Sequence, residues 1–364
     1  MTDEVYMRRV LELAERGRGR TSPNPMVGAV VVKSGRVLAE GYHRRAGGPH
    51  AEAVVLKKAG SRAEGATLYL NLEPCCHFEK RTPPCVPLII KRRIRRIVVA
   101  IRDPNPKVNG RGISLLRRAG VQVAEGVLKR EAHRLNEVYT KYVTTGVPFV
   151  ISKTAMSLDG KIATARGSTT SITGDEARRA GHRLRDQSDA ILVGIQTVLT
   201  DDPRLTTRLP GVKGHDAHRV IVDSTLKIPP TARLLVQKST ARTIIATTHR
   251  AHPSKVRSLE QAGATVWVVK DQEGRVSLPD LMRRLGGTGI TSVLIEGGGE
   301  LNASAFRSGI VDKLVWFMAP KIIGQNDAVA VIEGPVNHDP KKAVDVRDFL
   351  IRPIGDDLML EGYL

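Results

Sequence analysis

One histidine and a tight group of cysteines constrain the fold of this 364-residue chain more than any other feature. His50 opens an amphipathic run directly after Pro49, as expected at the start of a helix. All three cysteines lie between Cys75 and Cys85, and the first of them follows a predicted strand and a proline. One histidine and two cysteine ligands would leave the fourth tetrahedral position open, which is typical of catalytic zinc. The sequence therefore predicts that His50, Cys75 and Cys85 bind one Zn²⁺ per chain.

Glu52 supplies the proton chemistry that such a site needs. It lies two residues after His50, too close to be a comfortable fourth ligand, and could pass a proton from zinc-bound water to a leaving amine. His-x-Glu followed by Pro-Cys and a second cysteine is the signature of zinc-dependent nucleobase-type deaminases, although nucleic-acid deaminases space their cysteines as Cys-x-x-Cys. Cys76 is the other candidate ligand. Adjacent residues cannot easily bind one tetrahedral ion, so we predict that Cys76 is buried or lines a pocket.

Several alternatives to this interpretation stay open. A surface histidine and ordinary buried thiols would be favoured for any one residue alone, but their combination with Glu52 and the two preceding prolines favours a metal site. A structural zinc module attached to a binding domain would share the ligands without needing Glu52. In a further alternative, only one half of the chain is active.

The net charge of +20 is unevenly distributed along the chain. Up to residue 147 there are 28 Lys and Arg against 13 Asp and Glu, and beyond it 29 against 24. Such an excess could serve nucleic acid or an anionic small substrate, or it could be a solvated basic surface, which we favour for residues 91–96 (KRRIRR). The long loop between the cysteines and the large second half argue against a nucleic-acid deaminase. We therefore expect no nucleic-acid partner.

The cysteine pattern and the first residues indicate a cytoplasmic protein. A disulfide framework would spread its cysteines and would suit an oxidising compartment. The first twenty residues are charged, include acids and predict an amphipathic helix rather than a secretory signal or a transit peptide. The longest apolar runs are too short to cross a bilayer, so no membrane partner is expected.

Both halves of the chain alternate strand and helix signals and are predicted to be α/β with mostly buried strands. Residues 27–32 and 36–40 predict a hairpin, and a helix over 129–144 closes the first half. Residues 314–320 and 358–363 predict an antiparallel pair at the end of the second half.

The best domain boundary lies at Gly146-Val147-Pro148. A helix ends there, the proline prevents its continuation, and a new strand begins at Phe149. We therefore predict two domains, 1–146 and 147–364.

Seven segments of the chain match the motifs of one known family. In the first half they are TSPNPMVGAVVV (21–32), GYHRRAGGPHAE (41–52) and PCCHFEKRTPPC (74–85). In the second half they are KTAMSLDGKIA (153–163), TVLTDDPRLTTR (197–208), VDS (222–224) and IEGGGELNAS (295–304). Together they resemble the bifunctional riboflavin-biosynthesis deaminase–reductase family, over nearly the whole chain and in the domain order of that family.

The resemblance implies a cytidine-deaminase-like three-layer α/β/α domain followed by a dihydrofolate-reductase-like α/β domain. The first would use Zn²⁺ to deaminate 2,5-diamino-6-(5-phosphoribosylamino)pyrimidin-4-one hydrolytically. The second would use NADPH to reduce the ribosyl side chain, giving 5-amino-6-(5-phosphoribitylamino)uracil. The expected partner is this small phosphorylated pyrimidine, and the family tends to form homo-oligomers through the reductase domain.

For the first half, the resemblance implies that Asn24 and His43 contact the substrate, with His77 nearby. Arg81, helped by Lys80, would hold the substrate phosphate, because charge-assisted bonds suit an arginine fork. The loop that carries Arg81 is one residue longer than the usual family pattern. Two solvated loop charges are the alternative for this pair.

For the second half, the resemblance implies two sets of contacts. The residues that would line the NADPH site are Ala155, Ser171, Thr197, Asp201, Ser224, Gly298, Gly299, Glu300, Leu301, Asn302, Ala303 and Ser304. The residues that would contact the substrate are Thr169, Arg185, Leu205, Arg208 and Glu296. The glycines would let backbone N–H groups approach a pyrophosphate at a helix N-terminus, although a tight strand-to-helix turn explains them equally well.

For three residues of the second half, a more specific role can be predicted. Lys153 and Asp201 are candidates for polarising or protonating the reacting group during hydride transfer, with structural ion pairing as the alternative. Ser171 stands where the family usually has a tryptophan beside the nicotinamide. That change could weaken cofactor stacking or alter cofactor preference.

Overall fold

The protein is described here by a computed structural model that covers residues 2–77, 83–165, 171–212, 214–336 and 343–364. Its internal contacts divide the chain into two compact units, Met1–Gly146 and Val147–Leu364. Within the ranges covered, none of the helices combines the length and the apolar character that a membrane crossing requires.

The first unit is built on a five-stranded sheet with the order β2-β1-β3-β4-β5. Its strands are β1 (Gly28–Lys33), β2 (Arg36–Tyr42), β3 (Thr67–Leu72), β4 (Arg96–Ile101) and β5 (Gln122–Glu125). β1 is antiparallel to β2 and β3, whereas β3, β4 and β5 are parallel. Ser34 and Gly35 both have positive φ, as a tight two-residue hairpin turn requires. The predicted hairpin is confirmed.

Helices cover both faces of this sheet. They are α1 (Asp3–Glu15), α2 (Ala51–Ala59), α3 (Cys85–Lys91), α4 (Arg111–Arg118), α5 (Lys129–Leu135) and α6 (Glu137–Thr145). Successive side chains of a strand point to opposite faces. Val31 accordingly packs in one core with α2 and α3, and Val30 and Val32 pack in another with α1. The unit is therefore a three-layer α/β/α structure, as expected.

The helix predicted over 129–144 is not continuous. α5 ends at Leu135, α6 begins at Glu137, and the buried Asn136 lies between them. The Asn136 side chain binds both backbone polar groups of Met26: its Oδ1 accepts from N at 2.8 Å and its Nδ2 donates to O at 3.0 Å. The prediction was wrong here because this break serves a contact far away along the chain, which helical periodicity cannot reveal.

The second unit is built on a nine-stranded sheet with the order β11-β10-β9-β8-β14-β6-β15-β18-β17. The strands in this unit are β6 (Phe149–Ser157), β7 (Lys161–Ala163), β8 (Ala190–Gly194), β9 (His218–Val222), β10 (Thr243–Thr247), β11 (Thr265–Val268), β12 (Asp271–Gln272), β13 (Arg275–Val276), β14 (Ser292–Ile295), β15 (Lys313–Ala319), β16 (Val329–Ala330), β17 (Arg347–Ile354) and β18 (Asp357–Tyr363). The large sheet is parallel from β11 to β15. It ends in the antiparallel pairs β15/β18 and β18/β17, so the predicted terminal pair is confirmed.

Helices also flank this second sheet. They are α7 (Asp175–Gln187), α8 (Ile195–Asp201), α9 (Arg233–Val236), α10 (Pro253–Gln261), α11 (Leu278–Gly287) and α12 (Gly299–Arg307). The central strands lie between two apolar cores, which explains their continuous apolar sequences. Because β9, β8 and β14 are adjacent and parallel, their carboxyl ends lie at one edge of the sheet. The segments that follow these three strands line much of one cavity described below.

Candidate metal centre and ligand cavities

Four side chains of the first unit form a cluster that can hold a metal ion. The ligand atoms of His50, Glu52, Cys75 and Cys85 all lie within 4.8 Å of one another. His50 is the N-cap residue of α2, and Cys85 is the first residue of α3. The partial positive charge at a helix N-terminus favours the thiolate form that a cysteine ligand needs.

The distances within this cluster fit tetrahedral zinc. The Nδ1 atom of His50 lies 3.5 Å from the Sγ atom of Cys75 and 3.5 Å from the Sγ atom of Cys85. Tetrahedral geometry with Zn–N of about 2.0 Å and Zn–S of about 2.3 Å gives a nitrogen–sulfur separation of about 3.5 Å. The donor set of one imidazole and two thiols is therefore arranged as Zn²⁺ requires.

Backbone hydrogen bonds bring the two cysteines together across the ten positions that separate them. The Cys85 N–H donates to the carbonyl oxygen of Cys75 at 3.0 Å and lies 3.4 Å from its Sγ atom. The Val86 N–H donates to the same carbonyl at 3.2 Å. The start of α3 is thus hydrogen-bonded to Cys75, three residues after the end of β3, and a long loop can lie between the two cysteines.

Glu52 places a buried carboxyl group beside the three metal-ligating atoms. Its side chain is only 3 % exposed, and burial raises its pKa, with the nearby Cys75 acting in the same direction. A bound cation would act in the opposite direction. Its position beside the three ligating atoms is the one that a general acid–base residue needs.

Asn24 and His43 lie together next to this cluster. The Nδ1 atom of His43 lies 3.0 Å from the Pro49 carbonyl oxygen, which can only accept, so Nδ1 carries the proton. The Nε2 atom of His43 then accepts from the Asn24 side-chain amide at 3.1 Å. Burial lowers the pKa of His43, with His50 acting in the same direction, which favours this neutral form. The rings of His43 and His50 are 5.5 Å apart.

The remaining residues expected at this site are His77, Arg81 and Cys76. His77 and Cys76 are half-buried and line a cavity of about 610 Å³ whose wall includes Lys107 and Arg111. The expectation that Cys76 lines a pocket is met. Arg81, together with Lys80, lies outside the described residues.

Two buried asparagines that sequence reasoning missed fix the segment that carries Asn24. Asn136 binds the backbone of Met26 as described, and Asn71 of β3 donates to the Met26 carbonyl and accepts from the Gly28 N–H, both at 2.8 Å. Asn71 is fully buried in an otherwise apolar strand. A polar residue inside such a strand was the sequence signal that could have revealed this role.

Glu73 holds a second segment beside the metal cluster. Its buried carboxylate accepts backbone N–H groups from Asp103, Gly110 and Ile113 at 3.2, 2.9 and 3.0 Å. Gly112 allows this close approach, because a Cβ atom there would lie 2.4 Å from the Pro74 carbonyl oxygen. The start of α4 is thereby tied to the chain just before Cys75.

In the second unit, a cavity of about 480 Å³ lies at the carboxyl ends of β8, β9 and β14. Eight of the residues expected at the NADPH site line it, namely Thr197, Asp201, Ser224, Gly298, Gly299, Glu300, Leu301 and Ser304. Gly298 is the N-cap of α12, and a Cβ atom there would meet nothing within 4 Å, so the backbone at the helix start is open to a ligand. The backbone N–H groups at the start of α12 therefore face a cavity in which they could bind a phosphate group.

The other expected NADPH residues lie elsewhere. Asn302 is fully buried, and its Nδ2 donates to the Val331 carbonyl at 2.9 Å, so its side chain holds α12 in place. Ala303 lines a neighbouring cavity. Ala155 and Ser171 line the polar cavity of this unit described next.

That polar cavity has a volume of about 260 Å³ and gathers strongly charged residues. Lys153, Arg185, Arg208 and Glu296 all line it. Arg185 and Glu296 form a two-point ion pair, with Nε–Oε1 at 2.8 Å and Nη2–Oε2 at 2.6 Å. Burial alone would raise the pKa of Glu296, but the charges of Arg185 and Lys153 and the Arg185 hydrogen bonds lower it to about 2. Glu296 is therefore ionised at neutral pH.

Leu205, which was expected to contact the substrate, does not line this cavity. The side chain of Leu205 is buried in an apolar core, and its backbone has a φ of 52°. The following residue, Thr206, accepts a hydrogen bond from Arg185 at 3.0 Å through its carbonyl oxygen. Thr169 lies outside the described residues.

Lys153 and Asp201, the two candidates for proton chemistry, line different cavities of this unit. Lys153 lies in the charged cavity against Gly181, where an added Cβ atom would come within 3.3 Å of the lysine Cε. Asp201 lies in the 480 Å³ cavity, and burial raises its pKa. Lys153 is therefore the one placed beside Glu296 and Arg185.

These two units define an enzyme that joins a zinc deaminase to a nicotinamide-dependent reductase. Residues 1–101 match the sequence profile of the cytidine and deoxycytidylate deaminase zinc-binding region, and residues 148–360 match that of the RibD C-terminal domain. The chain belongs to the RibD family of riboflavin-biosynthesis proteins, which confirms the resemblance and the fold class implied by it.

Individual relatives support this membership over the full length. Riboflavin biosynthesis protein RibD from Actinobacillus pleuropneumoniae is 43% identical over 361 residues, which cover 99% of this chain and 95% of the relative. RibD from Acinetobacter baumannii (form 1) is similar in structure, with a TM-score of 0.89, 34% identity, and coverage of 99% and 98%. The diaminohydroxyphosphoribosylaminopyrimidine deaminase/5-amino-6-(5-phosphoribosylamino)uracil reductase from Thermotoga maritima gives a TM-score of 0.83 with 35% identity and the same coverage.

Proposed function

We propose that this chain catalyses two successive reactions of riboflavin biosynthesis, with residues 1–146 as deaminase and 147–364 as reductase. The first is the Zn²⁺-dependent hydrolytic deamination of 2,5-diamino-6-(5-phosphoribosylamino)pyrimidin-4-one. The second is the NADPH-dependent reduction of the ribosyl side chain, which yields 5-amino-6-(5-phosphoribitylamino)uracil. The observation that carries this proposal is the zinc-compatible cluster of His50, Glu52, Cys75 and Cys85 in a chain that belongs to the RibD family.

In the deaminase, His50, Cys75 and Cys85 hold Zn²⁺. The metal, when bound, supplies a Lewis acid that makes a water ligand acidic near neutral pH. Glu52 carries a proton from the attacking water to the departing amine, because its carboxyl group lies beside the three ligands. Asn24 orients the pyrimidine by hydrogen bonding, because the neutral His43 ring fixes its side-chain amide and the backbone of Met26 fixes the segment that carries it.

In the reductase, the 480 Å³ cavity holds NADPH and the charged cavity holds the pyrimidine substrate. NADPH, when bound, supplies the hydride. Arg208 attracts the substrate phosphate, and the Arg185–Glu296 pair presents fixed hydrogen-bonding groups to the substrate. Lys153 polarises or protonates the reacting centre from its place beside Glu296, and Asp201 is the second candidate for this role, from the cofactor side.

Removal of zinc separates the two activities and tests the proposal. With the diaminopyrimidine substrate and NADPH, the purified chain should release ammonia and oxidise NADPH, each followed separately. A chelator should abolish ammonia release but leave NADPH oxidation intact when the deaminated pyrimidine is supplied, because the metal cluster lies wholly in the first unit. Added Zn²⁺ should restore ammonia release.

Failure of the untreated chain to act on either pyrimidine would overturn the proposed function. Salt-dependent RNA binding accompanied by deamination of RNA would favour the nucleic-acid alternative instead. We also propose a cytoplasmic location, which is supported by three cysteines that form no disulfide with one another.

We further propose that the chain forms a homo-oligomer through the edge strand β17. Every residue of this strand except the last is exposed, and its apolar side chains include Phe349 (48 % exposed) and Ile351 (56 % exposed). An exposed edge strand is a ready template for pairing with another chain. A second copy of the same chain is the partner that we propose.

Two charges on this edge should disrupt the assembly. Phe349→Lys combined with Ile351→Lys is expected to convert the oligomer to a monomer, as measured by light scattering coupled to gel filtration. Val236→Lys, at another exposed apolar position of the second unit, should leave the assembly unchanged. A wild-type chain that is monomeric, or an oligomer that survives both lysines, would contradict this assignment.

A further inference from the structure

His182 is a residue of the charged cavity to which neither sequence motifs nor the proposed mechanism assign a role. It lies in the second half of α7 and lines the cavity with Lys153, Arg185, Arg208 and Glu296. It is half-buried, so part of its ring stays accessible to a ligand. Its role depends on which of its two ring nitrogens can bind a ligand and on whether the ring is protonated.

A backbone contact fixes the tautomer of His182. The Nδ1 atom accepts the backbone N–H of Arg208 at 3.3 Å. Because that N–H can only donate, Nδ1 carries no proton, and the neutral ring holds its single proton on Nε2. Among the residues that the structure describes, none accepts a hydrogen bond from this Nε2–H group. The ring therefore brings an available donor to the cavity.

The charges around His182 keep it neutral. The pKa of His182 is lowered to about 4, mainly by burial and also by the positive charges of Arg185, Arg208 and Lys153. The negative charge of Glu296 opposes this shift only in part. His182 is therefore a neutral hydrogen-bond donor at physiological pH, and the positive charge of the cavity comes from its lysine and arginines.

The charged cavity offers a place for an anion next to Arg208. Arg185 is paired with Glu296, but Arg208 has no carboxylate within ion-pair distance in the described parts of the chain. Burial lowers the pKa of Arg208, and Arg185 and Arg204 act in the same direction. An arginine that lines a cavity under these repulsions is stabilised by a ligand anion. The phosphoryl group is the anion of the proposed substrate.

We propose that His182 binds the phosphoryl group of the pyrimidine substrate together with Arg208, donating from Nε2 while Nδ1 is held by the Arg208 backbone. One contact thus orders both the donor and the segment that carries the arginine. This inference rests on the proposed reductase function of the second unit, and it adds a substrate-binding residue to it.

A matched pair of variants separates substrate binding from a structural role. The side-chain amide of asparagine reaches the position of Nδ1, whereas that of glutamine reaches the position of Nε2. His182→Asn keeps an acceptor for the Arg208 N–H but removes the distal donor. His182→Gln keeps the distal donor and loses that acceptor.

The two variants are compared in the full-length zinc-loaded chain. Binding of 5-amino-6-(5-phosphoribosylamino)uracil without NADPH is measured by calorimetry, and KM and kcat for NADPH oxidation are measured with the same compound. We expect His182→Asn to weaken binding and raise KM about tenfold or more, as for a lost hydrogen bond to a charged group, with kcat changed less. We expect His182→Gln to remain within a few-fold of wild type.

The opposite ranking, with the glutamine variant impaired and the asparagine variant normal, would show that His182 only holds the Arg208 segment. Wild-type affinity in both variants would also overturn the inference. If the wild type itself neither binds nor reduces the compound, the proposed reductase function fails instead.

A measurement on the wild type tests the same contact even if one of the variants does not fold. The ¹⁵N-labelled imidazole of His182 should show a proton on Nε2 only, and this signal should shift when inorganic phosphate is added. An Nδ1–H tautomer, or a signal that phosphate leaves unchanged, would contradict the proposed contact. Ammonia release in the variants reports on the first unit only, so the urea midpoint of the second unit is the measure of whether the fold around His182 is intact.

Discussion

Glu52→Gln is expected to lower the rate of ammonia release by about 10²–10⁴-fold or more, the contribution typical of a general acid–base residue. Zinc content should stay at one ion per chain, because glutamine matches the shape of glutamate and His50, Cys75 and Cys85 remain. NADPH oxidation with the deaminated pyrimidine should be unchanged. The measurements are ammonia release, metal content by mass spectrometry, and NADPH absorbance.

Glu4→Gln is the matched control for this prediction. It removes the same charge from an exposed position of α1 in the same unit and should leave all three quantities at the wild-type level. Ammonia release that survives in Glu52→Gln would show that Glu52 does not move the proton. The structural-zinc alternative would then be favoured, since such a module needs the ligands and not Glu52.

Glu296→Gln is expected to destabilise the second unit strongly and to impair reduction. Removing one partner of a buried ion pair leaves an uncompensated charge and costs about 3–5 kcal/mol. Here Arg185 would lose its partner in a cavity that also holds Lys153. The urea midpoint of the second unit should fall, and kcat/KM for NADPH oxidation should fall at least about tenfold, while ammonia release persists.

The pH dependence of this loss follows from the lowered pKa of Glu296. The pKa is about 2 in the folded protein against an ordinary value of 4.5. A carboxyl group with a depressed pKa stabilises the fold above its unfolded pKa and loses that contribution as pH falls. The difference in unfolding free energy between wild type and Glu296→Gln should therefore be largest near pH 7. It should shrink as the pH falls from about 4.5 to about 2.

Glu260→Gln provides the control for Glu296→Gln, because Glu260 is an exposed residue of α10 in the same unit. It should change neither the urea midpoint nor NADPH oxidation. A Glu296→Gln variant as stable as this control, or a gap that widens as pH falls, would contradict the ion-pair assignment.

Much of the metal centre could be predicted from the sequence because each part of it is local. His50 and Cys85 each begin a helix after a proline, and helix starts can be recognised from a few residues. The hairpin of β1 and β2 and the pair of β15 and β18 also follow from short patterns, since period-two alternation and turn residues act over neighbouring positions.

The second unit was harder to predict because its sites combine distant segments. The spacing of residues gave no sign that Ala155 and Ser171 would line one cavity while Thr197 and Ser224 line another. Nor could it show that Asn302 turns inward to hold α12. Which segments meet at one cavity depends on the order of the parallel strands, and local sequence patterns do not specify that order.

The sequence by itself determined the zinc-binding residue types, the α/β class and the family, because these depend on residue chemistry and short-range periodicity. Only the tertiary structure decided how the sites are supported. It showed that Asn71 and Asn136 hold Met26, that Arg185 pairs with Glu296, and that His182 contacts the Arg208 backbone. Each of these contacts joins residues distant in sequence, and a buried polar group takes as its partner whichever one the packed chain brings within hydrogen-bonding distance.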